Sequence, residues 1–135
     1  MQLTTHLGFD GNCREAFDFY AKVLGGKIMF QMTYGESPMG DQHPESKDRI
    51  VHTSLQVPGG GMLMGADAPP GRGSKHSGYC VNVGVKDAAE GKKIFEGLAE
   101  GGQVHMPYEK TFWSEGFGMC IDKFGVPWMV NTEGD

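Results

Sequence analysis

The sequence has few cysteines, no cluster of positive charge and no long apolar run. Its three cysteines, Cys13, Cys80 and Cys120, form no close pair, and an odd count of this kind does not predict a disulfide framework. The 12 Lys and Arg residues are outnumbered by 17 Asp and Glu residues, which gives a formal charge of −5. Nucleic-acid surfaces need clustered Lys and Arg, so no nucleic-acid partner is predicted. The apolar runs are far shorter than the roughly 20 residues that span a bilayer, so no membrane partner is predicted either.

The composition is that of a folded cytoplasmic domain. The first residues contain no basic stretch followed by an apolar one, so no secretory signal is expected. Hydrophobic residues make up 39% and charged residues 21% of the 135 residues, which suits a single domain with one shared core. Together with the unpaired cysteines, these features predict a cytoplasmic location.

Two helical patterns in the chain share the same boundaries, which indicates an internal duplication. Each pattern opens with a polar cap followed three residues later by Glu, as in a capping box, at Asn12 and at Asp87. An apolar stripe at helical spacing follows in each case. Each pattern ends at a pair of glycines, residues 25–26 and 101–102.

Strand-like runs flank both helices in the same order. In the first half they are Leu3–Phe9, Lys27–Tyr34, Arg49–Val57 and Gly61–Gly65, and in the second Gly78–Val85, Gln103–Trp113, Gly116–Asp122 and Pro127–Thr132. The sequence therefore predicts an α+β fold of two β-α-β-β-β modules, residues 3–66 and 78–132, joined by a connector at 67–77 within one domain. Neither module could bury its own sheet face well. We expect the two to pair into a cupped, half-barrel mixed sheet whose shared groove holds a small molecule.

Six short runs, in order along nearly the whole chain, carry a resemblance to a known family. They are Phe9–Phe17, Phe19–Gly26, Met64–Pro69, Lys110–Trp113, Phe117–Met119 and Phe124–Met129. These runs resemble the PhnB-like branch of the glyoxalase, bleomycin-resistance and extradiol-dioxygenase group, the vicinal oxygen chelate superfamily. The resemblance implies the glyoxalase/bleomycin-resistance fold and a homodimer. It does not specify an activity, because one fold hosts many chemistries.

The resemblance also provides a frame for testing a metal site. Metal-dependent members of the superfamily place His or Glu ligands on the inner faces of the first and last strands of each module. Carried onto this chain, the four positions become Thr4, Leu63, Cys80 and Met129. None is a His or a carboxylate, and Thr, Leu and Met do not replace the ligands that a catalytic divalent ion needs. We therefore expect no metal cofactor.

One alternative for a metal stays open. His6 lies two residues after Thr4 and so faces the same side of the first strand. His52, on the third strand, is a second imidazole for the groove. The two histidines could help to hold a divalent ion if a carboxylate joined them.

The candidate ligand-binding residues combine these imidazoles with large apolar side chains. They are His6, His52, Trp113, Trp128 and Met129. Aromatic side chains at the mouth of a curved sheet offer flat apolar area and an indole donor, which suits a planar ligand. An equally simple interpretation is that the tryptophans pack at the junction of the modules or at a dimer contact.

The sequence predicts a small-molecule-binding protein whose ligand and reaction are unidentified. A metal-dependent lyase, isomerase or dioxygenase of the same superfamily is the alternative, and a partner-binding domain with a vestigial groove is a third hypothesis. Some PhnB-like domains carry a name that suggests a ubiquinone methyltransferase. No glycine-rich strand-to-helix turn of the kind that serves dinucleotide or methyl-donor sites is present in the sequence, so methyl transfer is not predicted.

Overall fold

The computed structural model describes residues 1–38, 40 and 44–133. The chain forms two compact units, Met1–Ser74 and Lys75–Asp135. The division falls within the predicted connector. None of the helices in the described ranges is long and apolar enough to cross a membrane.

Unit 1 is a four-stranded sheet with one long helix. Its elements are β1 (Thr5–Phe9), α1 (Cys13–Leu24), β2 (Lys27–Thr33), a single 3-10 turn (Pro44–Ser46), β3 (Ile50–Gln56) and β4 (Met62–Asp67). The strand order is β1-β4-β3-β2. β1 runs parallel to β4, and the other neighbours are antiparallel.

Unit 2 repeats this arrangement. Its elements are β5 (Val81–Val85), α2 (Ala88–Ala99), β6 (Gln103–Glu109), β7 (Gly116–Ile121) and β8 (Pro127–Thr132). The strand order is β5-β8-β7-β6, again with the first and last strands parallel. The predicted α+β fold of two β-α-β-β-β modules is thus confirmed.

The strand after α2 is shorter than the sequence predicts. β6 ends at Glu109, because a turn follows in which the Thr111 N–H donates to the Ser114 carbonyl at 2.9 Å. The expectation that this strand runs on to Trp113 is wrong. Trp113 lies in the loop between β6 and β7.

The predicted capping box of α1 is also wrong. The Asn12 side chain makes no cap hydrogen bond. Asp67 at the end of β4 replaces it: its Oδ1 accepts from the N–H groups of Gly11 at 2.8 Å and Cys13 at 3.0 Å, while its Oδ2 accepts from the Ile50 N–H at 2.9 Å. One buried carboxylate thereby joins β4, β3 and the start of α1. It also satisfies the N–H group of Cys13, the first residue of α1, which would otherwise lack a partner.

Two other predicted helix boundaries, the cap at Asp87 and the stop at Gly25, are confirmed. Asp87 caps α2 by accepting from the Ala89 N–H at 3.0 Å. Gly25 ends α1 in the left-handed conformation, with φ of 67°, which glycine adopts without steric cost.

Each helix packs on one face of its own sheet, and this contact fixes which strand residues face which way. In unit 1 the ring of Phe17 lies so close to Gly65 that a Cβ on Gly65 would collide with it. In unit 2 the Phe95 ring takes the same role against Gly118, where a Cβ would lie 2.7 Å from Cε1 of that ring. Strand residues alternate between faces, so the neighbours of these glycines point away from the helices.

Candidate ligand-binding faces

The face of unit 1 that is turned away from α1 carries the two predicted histidines. Strand register places His6 beside Met64, Met64 beside Ser54, and Ser54 beside Phe30. His52 lies two residues before Ser54 on β3 and so shares its face. We call these five residues the unit 1 face.

The sequence-based frame for the fourth strand is off by one residue. Leu63 is buried on the α1 side of β4, in alternation with the less buried Met62 and Met64. Register pairs His6 with Met64 in unit 1, as it pairs Asn82 with Met129 in unit 2. Met64, and not Leu63, is therefore the counterpart of Met129.

His52 acts electrostatically on His6. The pKa of His6 is lowered from its ordinary value, first because neighbouring atoms partly desolvate the ring and second because of the positive charge on His52. The lowered pKa favours a neutral His6 imidazole near pH 7, and a neutral ring both donates and accepts a hydrogen bond. The His52 ring lies against the Phe30 ring, with centroids 5.7 Å apart.

The side chains around these histidines do not fit the superfamily's metal centre. Register surrounds His6 with a thioether at Met64 and a hydroxyl at Ser54, and neither suits a hard divalent ion in place of a carboxylate. Within the ranges that the structure describes, no three His, Cys, Asp or Glu side chains are grouped so that they could hold a metal ion.

The face of unit 2 that is turned away from α2 is rich in sulfur and aromatic groups. Register places Met129 beside Met119 and Met119 beside Met106. Phe117 and Asn131 are paired one step along the same face. We call these five residues the unit 2 face.

The two predicted tryptophans lie in different environments. Trp113 is 53% exposed and meets the Phe117 ring edge-on, with centroids 5.4 Å apart. Trp128 is 1% exposed, and its indole Nε1 donates to Asp122 Oδ2 at 2.8 Å. It alternates with Met129 and lies on the α2 side of β8.

The structure thus groups the five predicted residues differently from the sequence. His6 and His52 share the unit 1 face, while Met129 belongs to the unit 2 face and Trp113 extends it through Phe117. Trp128 packs beneath α2 and is too buried to contact a ligand on the unit 2 face. Sequence reasoning missed Phe117 and Asn131, although Asn131 lies two residues from Met129 and therefore shares its face.

Known proteins match the chain over nearly its whole length. The family model described as 3-demethylubiquinone-9 3-methyltransferase matches residues 1–131. Protein YjdN of Escherichia coli strain K12 is 34% identical, over 98% of this chain and 95% of that protein. The crystal structure of protein PA1353 from Pseudomonas aeruginosa is 42% identical and superposes with a TM-score of 0.89, covering 100% of this chain and 99% of that one.

More distant structures share the fold. A PhnB protein from Bacillus cereus gives a TM-score of 0.82 at 24% identity, over 98% of this chain and 100% of that one. A glyoxalase-related enzyme from Fulvimarina pelagi gives 0.65 at 16% identity, over 98% and 89% of the two chains. Given the match of the family model over residues 1–131 and the identity to YjdN, the chain belongs to the family described as 3-demethylubiquinone-9 3-methyltransferase, and it shares its fold with the PhnB and glyoxalase-related structures.

Proposed function

We propose that this chain binds a small molecule on a sheet face turned away from its helices, with ligand contacts at His6 and His52 in unit 1 and at Trp113 and Met129 in unit 2. The observation that carries the proposal is the exposure of large apolar side chains on those faces. Phe30 in unit 1 is 46% exposed, and in unit 2 Met106 is 41% and Trp113 53% exposed. Exposed apolar groups that lie together mark a site of binding.

The polar groups on these faces are few and suit ligand recognition. On the unit 1 face the imidazoles of His6 and His52 offer both a donor and an acceptor. Methionine thioethers on the unit 2 face are polarisable and adapt to irregular ligands. Apolar walls with a small number of polar groups are typical of small-molecule sites.

The test is a thermal-shift screen of aromatic and heterocyclic compounds, followed by tryptophan fluorescence. A ligand at 100 times its dissociation constant adds about 2.7 kcal/mol to the free energy of unfolding. Ligand binding should change the emission of exposed Trp113 and leave that of buried Trp128 nearly constant. The variant Trp113→Phe then loses the response, whereas Trp128→Phe keeps it. A screen without any stabilising compound would contradict the proposal.

A matched pair of histidine variants tests the unit 1 face. His52→Ala should weaken the ligand found in the screen, because it removes a ring that lies on the face. His105→Ala, at an exposed position on β6, is the control and should leave affinity unchanged. Equal affinities for the two variants would remove His52 from the site.

Two further measurements separate this proposal from its alternatives. Metal analysis of untagged protein, with turnover assayed before and after chelation, tests the metal-dependent lyase, isomerase or dioxygenase. Stoichiometric metal together with chelator-sensitive turnover would replace our proposal with that one. Titration with S-adenosylmethionine tests the activity in the family's description, and we expect no stabilisation by it.

We also propose that this chain forms a homodimer in the cytoplasm. All three cysteines are free thiols, which agrees with a reducing compartment. The dimer is what the family resemblance implies. Light scattering after size-exclusion chromatography should give the mass of two 14.7 kDa chains, and the mass of one chain would contradict it.

A further inference from the structure

One side-chain atom on the unit 2 face lacks a hydrogen-bond partner. Asn131 Oδ1 is buried, and no donor reaches it within the part of the chain that the structure describes. A buried acceptor without a donor costs free energy, so such an atom in a folded protein calls for an explanation.

The neighbours of Asn131 cannot supply a side-chain donor. Register pairs it with Phe117 on β7 and Gly84 on β5, whose side chains carry no N–H or O–H. The Glu133 carboxylate lies over Gly84, since a Cβ on that glycine would be 2.9 Å from Glu133 Oε1. An ionised carboxylate only accepts hydrogen bonds. None of these three neighbours therefore supplies a side-chain donor to Asn131 Oδ1.

The charges near Asn131 define which molecules are disfavoured. Glu133 lies on one side of it, and Glu109 is paired with Phe117 on the other. Two carboxylates repel an anion and accept a neutral or positively charged ligand.

The apolar groups near Asn131 define the shape of the ligand. The Trp113 and Phe117 rings meet edge-on at an interplanar angle of 68°, and Met119 and Met129 lie side by side on the same face. Aromatic faces and thioethers together favour a flat ring.

We infer that the unit 2 face takes a flat aromatic ligand, neutral or cationic, that donates an O–H or N–H to Asn131 Oδ1. This inference rests on the proposed function and adds the chemical class of the ligand. The ring packs against Phe117 and Trp113, and the ring hydroxyl or amine fills the missing donor position.

The first experiment compares three naphthalenes by isothermal titration calorimetry at pH 7. 2-Naphthol has the ring and a donor, 2-methoxynaphthalene has the ring without a donor, and 2-naphthoate has the ring with a negative charge. Because only 2-naphthol donates a hydrogen bond to Asn131 Oδ1, we expect it to bind at least about fivefold more tightly than either of the other compounds. A smaller ratio overturns the inference and leaves small-molecule binding intact.

Absence of binding by all three compounds also overturns the inference. The broad thermal-shift screen then decides separately whether the chain binds a ligand of another class. A hit of another class preserves the proposed function, and an empty screen contradicts both.

The second experiment removes the acceptor. Asn131→Leu should weaken 2-naphthol by about fivefold and leave 2-methoxynaphthalene unchanged, while the melting temperature of the free protein does not fall. Gln2→Leu, at an exposed amide before β1 and outside the unit 2 face, is the control and should alter neither affinity. Equal loss for both naphthalenes in Asn131→Leu would indicate a packing role and overturn the inference. The ligand series uses the unmodified protein and decides the matter if the Leu variant does not fold.

Discussion

His52 on β3 lowers the pKa of His6 on β1, although the two strands are separated by β4. Partial desolvation of the His6 ring is the larger cause of the lowered pKa, and the charge on His52 adds to it. Both effects disfavour the imidazolium form of His6. The charge state of His6 therefore depends in part on a residue 46 positions away in the chain.

Removal of His52 should raise the pKa of His6 part of the way to its ordinary value. The variant His52→Asn abolishes the repulsion but leaves the desolvation, which is the larger cause. Proton NMR titration of the His6 ring in the two proteins measures the difference. An unchanged His6 pKa in the variant would show that His52 does not act on it.

The stability of the protein should fall as the pH falls below about 6.5, and His6 should contribute to that fall. Because the folded-state pKa is the lower one, the unfolded chain binds more protons in the range between the two pKa values. The contribution is fully present above the unfolded-state pKa and is lost as the pH falls to the folded-state pKa. Urea unfolding at several pH values should give a shallower fall for His6→Asn. His105→Asn is the control and should reproduce the slope of the original protein.

Loss of the Asp67 carboxylate should destabilise the protein strongly. Asp67→Ala leaves the buried N–H groups of Gly11, Cys13 and Ile50 without their acceptor, and we expect a loss of about 3 kcal/mol in the free energy of unfolding. The control is Asp10→Asn, which breaks an Arg49 ion pair of 2.8 Å with a half-exposed carboxylate and should cost about 1 kcal/mol or less. Similar losses for the two variants in urea unfolding would contradict the bridging role of Asp67.

Two glycines of unit 1 should differ in their tolerance of a methyl group. Gly65→Ala places a Cβ against the Phe17 ring, and overpacking of this kind costs about 1–3 kcal/mol. Gly8→Ala, where nothing lies within 4 Å of the added Cβ, should be nearly neutral. Phe17→Leu should cost less free energy of unfolding in the Gly65→Ala background than in the original protein, because the smaller side chain leaves room for the added Cβ. A double-mutant cycle should therefore show coupling. Additive effects would mean that the two residues do not touch.

Among the three thiols, Cys80 should react first with a disulfide reagent at neutral pH. Burial, reinforced by the Asp67 charge, raises the pKa of Cys13 to about 12, and burial beside the Asp122 charge raises that of Cys120 to about 11. Both thiols are therefore protonated and inert in the folded protein. Cys80 is only half-buried. Mass spectrometry should find one fast-labelled site, which Cys80→Ser abolishes. Fast labelling of Cys13 or Cys120 in the folded protein would contradict this.

The sequence predicted the helices well because their boundaries depend on neighbouring residues. The Asp87 cap and the Gly25 stop act within one helical turn, and both are present. The Asn12 cap is the exception. Its role is taken by Asp67, 55 positions away, and no local pattern could indicate that contact.

The candidate site was predicted less completely. Alternation within β1 is a local rule and places His6 on the same face as Thr4, whereas the common face of His6 and His52 follows from the pairing of β1, β4 and β3. Leu63 was assigned to the wrong face, since the phase of alternation in β4 depends on its pairing with β1 and β3. Alternation places Asn131 on the face of Met129, but its unpaired acceptor can be recognised only when its surroundings are known.

By itself the sequence determined the order of strands and helices, their duplication and the family, since turns, caps and apolar periodicity act over a few residues. Only the tertiary structure decided which side chains face away from the helices, and it put Trp128 beneath α2 while Trp113 stayed exposed. The physical reason is that a side chain's face is set by strand register and helix packing. Both depend on contacts between residues that are far apart in the chain.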